Sequence, residues 1–197
     1  MEWKDYKQAI KESIDANDLG RAEQLLLEAM GVLKQSENAD ERLCVCLDQL
    51  GWIYIGQRKL ELAQAHYLES LNIKGKVLGE KNPIVGKALK KLATVSYMAE
   101  NYVDAERYGK RALNVLKNTA GPKNEETQQT MLDVVSLLNH LNRKVEARII
   151  EQSINQNTAS PEASDLEAQS IIKVNICPDC KHPFEGRNCP RCTVVKF

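Results

Sequence analysis

Residues 50–73 read LGWIYIGQRKLELAQAHYLESLNI and residues 92–115 read LATVSYMAENYVDAERYGKRALNV. At a constant offset of 42, Leu50 meets Leu92, Gly51 meets Ala93, Leu60 meets Tyr102, Ala63 meets Ala105, Leu71 meets Leu113 and Ile73 meets Val115. Each copy holds two apolar segments of helical period around a short polar turn, Gln57-Arg58-Lys59 in one and Glu100-Asn101 in the other. Small residues stand where two helix backbones must approach. Such a unit cannot bury its apolar face alone, so the pattern predicts helical hairpins stacked on their own copies.

The template extends in both directions. Upstream, at an offset of 41, Ala9, Leu19 and Ala22 take the places of Leu50, Leu60 and Ala63, giving a first hairpin over about residues 3–34. Downstream, another step of 42 places Val134-Val135 under Leu92-Ala93, Lys144 under Tyr102 and Ala147 under Ala105. This fourth copy is degraded, with Ile154 where a small residue sat, as suits a terminal repeat whose outer side has no further copy to meet. Joints recur between copies: Gly79 and Gly121 end one helix, and Asn82 followed by Pro83 offers an N-cap and first helical residue for the next. Eight paired helices are expected from about residue 3 to 155.

These residues resemble the tetratricopeptide repeat, with Leu50, Gly51, Tyr54, Ala63, Tyr67 and Leu71 at signature positions of the second copy. The 42-residue spacing and the joints LGEKNPIVGKAL and AGPKNEETQQTML resemble the kinesin-light-chain type of repeat. The likeness implies an all-α superhelical solenoid of four hairpins over residues 1–155, with a concave wall made by the first helix of each pair. This chain departs from the pattern at Ser70, where alanine is usual, at Asn82, where the joint carries histidine, and at Gln8, Gln49, Lys91 and Asp133, where many members carry asparagine.

From the register, the wall presents Lys4, Lys7, Lys11, Asp48, Gln49, Trp52, Ile55, Lys87, Lys90, Lys91, Thr94, Tyr97, Asp133, Ser136 and His140. Of these, Lys7, Lys11, Gln49, Trp52, Lys87, Lys90, Lys91, Thr94 and Tyr97 are the candidate partner-binding residues. Aromatic surface supplies burial and lysines supply charge complementarity, which suits an acidic peptide or partner helix. The same lysines also fit the plain solvated face of a helix. Trp3, Tyr6, Tyr54, Tyr67, Tyr102 and Tyr108 fall at packing positions. Cys44 and Cys46, about 200° apart on a helix, cannot hold one metal together and read as small buried hydrophobes.

Residues 156–170 are mostly polar and small, and a linker is expected over 156–172. Within them and just beyond, Ile171 to Ile176 looks strand-like and leads into a different module over residues 173–197. There Cys177-Pro-Asp-Cys180 and Cys189-Pro-Arg-Cys192 stand eight residues apart. Two such turns brought face to face complete a tetrahedral four-sulfur zinc site, with Zn–S near ~2.3 Å. The segment resembles the short zinc ribbon, a small β-hairpin module; Cys177, Cys180, Cys189 and Cys192 match its ligand positions, and Gly186 would be a hairpin tip. Four thiolates leave no open position, so one Zn2+ would be structural, and it must carry the folding of so short a segment.

Charge singles out no partner, with 27 basic and 27 acidic residues. The start mixes charges of both signs and no run of eighteen apolar residues occurs, so no membrane role and a cytoplasmic or nuclear setting are expected. His66, His140 and His182 fall on separate modules, and none of the nucleotide-loop or metalloprotease motifs occurs, so catalysis and a small-molecule substrate are not expected. The expected function is a protein-binding adaptor with the ribbon as a second contact. The rival is a nucleic-acid-associated factor whose ribbon, with Lys181, Arg187 and Arg191, touches DNA or RNA.

Overall fold

The computed structural model describes residues 2–34, 40–158, 175–176 and 183–184. It divides into two compact units, Met1–Asn157 and Thr158–Phe197. The first contains eight helices among the described residues: α1 (Trp3–Asp15), α2 (Leu19–Leu33), α3 (Asp40–Gly56), α4 (Leu60–Leu78), α5 (Pro83–Met98), α6 (Tyr102–Thr119), α7 (Glu125–His140) and α8 (Lys144–Thr158). The final helix thus runs into the first residues expected to be linker.

The punctuation acts as local chemistry requires. Asp18, Asn82, Asn101 and Asn124 cap α2, α5, α6 and α7, each side chain accepting a backbone N–H of the first turn. Pro83 occupies the start of α5, where its missing N–H leaves no bond unmade. Within each hairpin the turn places one residue in the left-handed region: Asn17, Arg58, Glu100 and Asn142, with φ between 57° and 60°. Those four positions follow the repeat, as do Gly79 and Gly121 at the joints, with φ of 84° and 86°.

Each helix through α7 packs on its neighbours in sequence, and α5 also touches α7. This is the pattern of a repeat stack rather than of one closed core. Ala22, Ala63, Ala105 and Ala147, one per repeat, are all at most 1% exposed. They let paired helices approach, with leucines filling the seams: Leu26, Leu47, Leu50, Leu89, Leu92, Leu116 and Leu138 are all buried. The last pair closes on a smaller cluster of Val134, Val135, Leu138 and Ala147, with Ile150 against it. Tyr6, Tyr54, Tyr67 and Tyr108 are buried, whereas Trp3 and Tyr102 are half-buried. Cys44 and Cys46 are both buried, and burial pushes the Cys46 thiol up to about 11.

In the second unit, Asn175–Ile176 (β1) and Pro183–Phe184 (β2) pair antiparallel, Asn175 opposite Phe184 and Ile176 opposite Pro183. Cys177, Cys180, Cys189 and Cys192, Gly186, and residues 159–172 of the expected linker lie outside the described residues. Among the described residues, no helix is long and apolar enough to cross a membrane.

Candidate functional site

The first helix of each hairpin turns one stripe away from its partner, and along that stripe lie the residues singled out in the sequence. Lys4, Lys7 and Lys11 on α1, Trp52 on α3, Lys87, Lys91, Thr94 and Tyr97 on α5, and Asp133, Ser136 and His140 on α7 are exposed. Asp48, Gln49, Ile55 and Lys90 are half-buried. The stripe narrows to a cleft of about 200 Å³ between α5 and α7. Lys90, Thr94 and Tyr97 form one bank, Asp133 and Ser136 the other, and Ala93, Ala105 and Gly109 lie at its floor. Gly109 has a steric reason: a Cβ there would stand 3.2 Å from the Val134 side chain. Gln49, Trp52, Lys87 and Lys91, and Lys7 and Lys11 of the first repeat, do not line this cleft.

The lysines of α5 are engaged within the protein. Lys91 Nζ donates to Asp48 Oδ2 of the preceding repeat at 2.7 Å, the same oxygen that accepts from Lys74 Nζ at 2.8 Å. Asp48 Oδ1 accepts from the Ser70 hydroxyl at 2.6 Å. Burial raises the Asp48 pKa, but those hydrogen bonds outweigh it and hold the carboxyl below its ordinary value. The Lys91 ammonium also sits 5.7 Å from the centre of the Tyr67 ring, whose hydroxyl burial pushes up to about 12. Lys90 Nζ reaches Glu126 at 2.9 Å and Asp133 at 3.9 Å, and Lys87 reaches Glu126 at 3.5 Å. The Lys90 hydrogen bond keeps Glu126 below the usual carboxylate range. Among the described residues, Lys4, Lys7 and Lys11 have no ion-pair partner.

The sequence reading did not identify the pairing that balances this stripe, nor the aromatic group that ends it. Tyr97, Tyr102 and His140 stand together with ring centres 4.8 to 5.7 Å apart. A signal was available. Asp48 and Lys91, Lys90 and Asp133, and Tyr97 and His140 are each 43 residues apart, one more than the repeat. Complementary residues at that step mark neighbours across successive first helices.

The tetratricopeptide repeat family matches residues 53–118. Several solved structures share the fold of the helical unit. BtubC (BKLC) from P. vanneervenii aligns with a TM-score of 0.66 at 17% identity, over 82% of this chain and 67% of that one. A kinesin-light-chain-type protein of Podosopora anserina with nearly identical TPR-like repeats aligns at 0.67 and 15%, over 84% of this chain and 81% of that one. The apo form of RapI aligns at 0.70 and 13% over 82% of this chain, which spans only 45% of RapI. No curated protein matches the chain. The helical unit therefore has the architecture of a tetratricopeptide-type solenoid.

Proposed function

We propose that the helical unit is a noncatalytic protein-interaction scaffold that grips a peptide or helix of a partner protein along its first-helix stripe, with the α5–α7 cleft as the anchor point. The observation that carries this reading is the cleft itself. Small residues, Ala93, Ala105 and Gly109, leave room for one side chain of the partner, and Tyr97, Thr94 and Ser136 offer an aromatic face and hydroxyls around it. The match to the tetratricopeptide repeat supports the same reading. Because Lys87, Lys90 and Lys91 are matched by Asp48, Glu126 and Asp133, attraction for an acidic partner falls mainly to Lys4, Lys7 and Lys11.

In this reading Cys177, Cys180, Cys189 and Cys192 hold one structural Zn2+ in a ribbon that supplies a second, tethered contact and so raises avidity. The donor set suits zinc, and the β1–β2 ladder brackets the stretch of chain that carries Cys177 and Cys180. The zinc would hold this short segment folded; the cysteines' role is to bind it as thiolates.

Affinity capture with the full chain tests the scaffold. Thr94→Trp, which fills the cleft from an exposed position, should remove the bound protein, and a Lys87/Lys90/Lys91 charge-reversed variant separates charge from shape. Capture that survives Thr94→Trp, or binding to nucleic acid that falls steeply with salt and follows Lys181, Arg187 and Arg191, would overturn the reading.

A further inference from the structure

The chemistry of the α5–α7 cleft narrows the kind of segment that fits it, an inference that rests on the scaffold reading above. The charged residues that line the cleft are Lys90 and Asp133, one of each sign, paired with each other at 3.9 Å, and Lys90 is tied further to Glu126 at 2.9 Å. The charges cancel where they stand, so the cleft selects neither an acidic nor a basic side chain.

Hydrogen bonding separates an extended segment from a helix. The Thr94 and Thr130 hydroxyls donate to carbonyls of their own helices, Lys90 at 3.1 Å and Glu126 at 2.7 Å. Among the described residues, the hydroxyls of Tyr97 and Ser136 have no such acceptor. A bound α-helix would not supply one, because its carbonyls are spent on its own ladder and it measures about 10–12 Å across. A polyproline II segment makes no internal hydrogen bonds and keeps its carbonyls for a partner. The floor of Ala93, Ala105 and Gly109 offers no side-chain acceptor, so an amide N–H set against it would lose its water without replacement. Proline has no N–H to lose.

Aromatic surface completes the match. Tyr97, Tyr102 and His140 meet with ring planes inclined 45° to 76°, so they make a stepped wall, and Tyr97 and His140 are exposed along it. Aromatic-lined grooves are the surfaces that receive proline-rich segments. The preceding joint provides an internal control. One step of 42 back, Tyr97, Tyr102 and His140 become Ile55, Leu60 and Met98, and Gly109 becomes Tyr67. That ring fills the floor: a Cβ on Gly51, the counterpart of Ala93, would stand 2.6 Å from it. Aromatic wall and small-residue floor thus come together at one joint and are replaced together at the other, which repeat geometry alone does not require.

We propose that the α5–α7 cleft takes an extended, proline-containing segment of the partner, its prolyl rings against Tyr97 and His140 and its carbonyls accepting from the Tyr97 and Ser136 hydroxyls.

The test titrates the 15N-labelled full chain with a proline peptide of about eight residues, capped at both ends and ~25 Å long as polyproline II, followed by NMR. Saturable shifts are expected at Thr94, Tyr97 and Ser136. A capped Gly-Ser peptide of equal length, with the same carbonyls but with N–H groups and no rings, should bind at least about tenfold more weakly. Tyr97→Phe keeps the ring and removes the hydroxyl, and should weaken the proline peptide roughly two- to tenfold, the value of one hydrogen bond. Thr94→Trp should abolish binding, and Val103→Ser, at a position 80% exposed outside the cleft, should leave it unchanged. Raising the salt should change the affinity by less than about twofold, since no net charge is engaged. Shifts that do not saturate or that gather elsewhere, equal binding of the Gly-Ser peptide, a steep dependence on salt, or indifference to Tyr97→Phe would each overturn the proposal. A protein captured through the cleft and lost with Thr94→Trp, but whose bound segment lacks proline, would overturn it while leaving the scaffold reading in place; the scaffold reading itself falls with capture that survives Thr94→Trp.

Discussion

Replacing Gly51 by alanine should destabilise the helical unit, although alanine is the better helix former. A Cβ built at Gly51 stands 2.6 Å from Tyr67 Cε1, 2.7 Å from Cζ and 2.9 Å from Cδ1. Carbon atoms prefer about 3.5–4.0 Å, so the ring must retreat by roughly an ångström. It has little freedom to do so, being 5% exposed with the Lys91 ammonium near its face. Overpacking of this kind costs about 1–3 kcal/mol, and the short distances place this case in the upper half of that range. The helix gains about 1 kcal/mol from losing a glycine, leaving a net loss of about 1–2 kcal/mol. For a unit of this size that lowers Tm by about 2–8 °C.

Two further variants isolate the cause. Gly31, in α2, has nothing within 4 Å of its built Cβ, so Gly31→Ala should raise Tm by a few degrees, about 0.5–1 kcal/mol. In a Tyr67→Ala background, itself costly by about 3–5 kcal/mol, Gly51→Ala should become stabilising. That reversal appears as a coupling of about 2–3 kcal/mol in a double-mutant cycle measured by urea unfolding. A Gly51→Ala protein as stable as its parent, or a cycle with no coupling, would refute the account of this contact.

Other consequences are equally open to measurement. Arg58 sits in the left-handed region where the first and fourth repeats use Asn17 and Asn142, so Arg58→Asn should add about 1 kcal/mol to stability, read from the urea midpoint. Asp48→Asn should cost about 2 kcal/mol at neutral pH, below the fully buried case because Lys91 is 45% exposed. The Asp48 pKa is lowered in the fold, so its contribution is complete above the unfolded value of about 3.9 and is lost as pH falls through the folded one; Asp48→Asn should therefore flatten the acid limb of the stability profile. The proposed zinc site predicts one metal ion per chain, lost in Cys177→Ser by elemental analysis, with the helical unit's unfolding transition unchanged. Burial of the Cys46 thiol and its pKa of about 11 predict that iodoacetamide leaves Cys46 unmodified in the native protein and alkylates it in urea, as peptide mass spectrometry would show.

The fold was legible because its information is local and repeated. Ala63 and Ala105, the turns at Arg58 and Glu100, and the joint glycines Gly79 and Gly121 announce themselves within a few residues, and each has its counterpart 42 positions away; Asn82 before Pro83 marks a cap in the same local way. The stripe of first-helix residues followed from the same register. Which side chains on it are already satisfied did not, because an ion pair such as Lys91 with Asp48 joins different helices and depends on how far one hairpin is rotated against the next. The cleft at Thr94 and Ser136 was invisible for the same reason: each residue by itself is an ordinary exposed side chain, and only the packing of the third repeat on the fourth makes a concavity of them.

That difference between repeats also bears on how one architecture serves different ligands. The close approach inside a hairpin is made by Gly51 against Tyr67 in the second repeat and by Ala93 against Gly109 in the third, so bulk moves from one helix to the other while the backbone pattern is kept. In the second repeat the space goes to a buried ring that steadies Lys91. In the third it is left open as the floor of the anchor cleft. If this exchange sets the ligand site, Gly109→Val should fill the cleft and crowd Val134, already 3.2 Å from the built Cβ, abolishing partner capture together with about 1–3 kcal/mol of stability. Ala93→Ser adds one hydroxyl at the floor without that collision; capture should weaken while the urea midpoint stays close to its parent value. Equal loss of stability in both variants would show that the small residues at 93 and 109 serve packing alone.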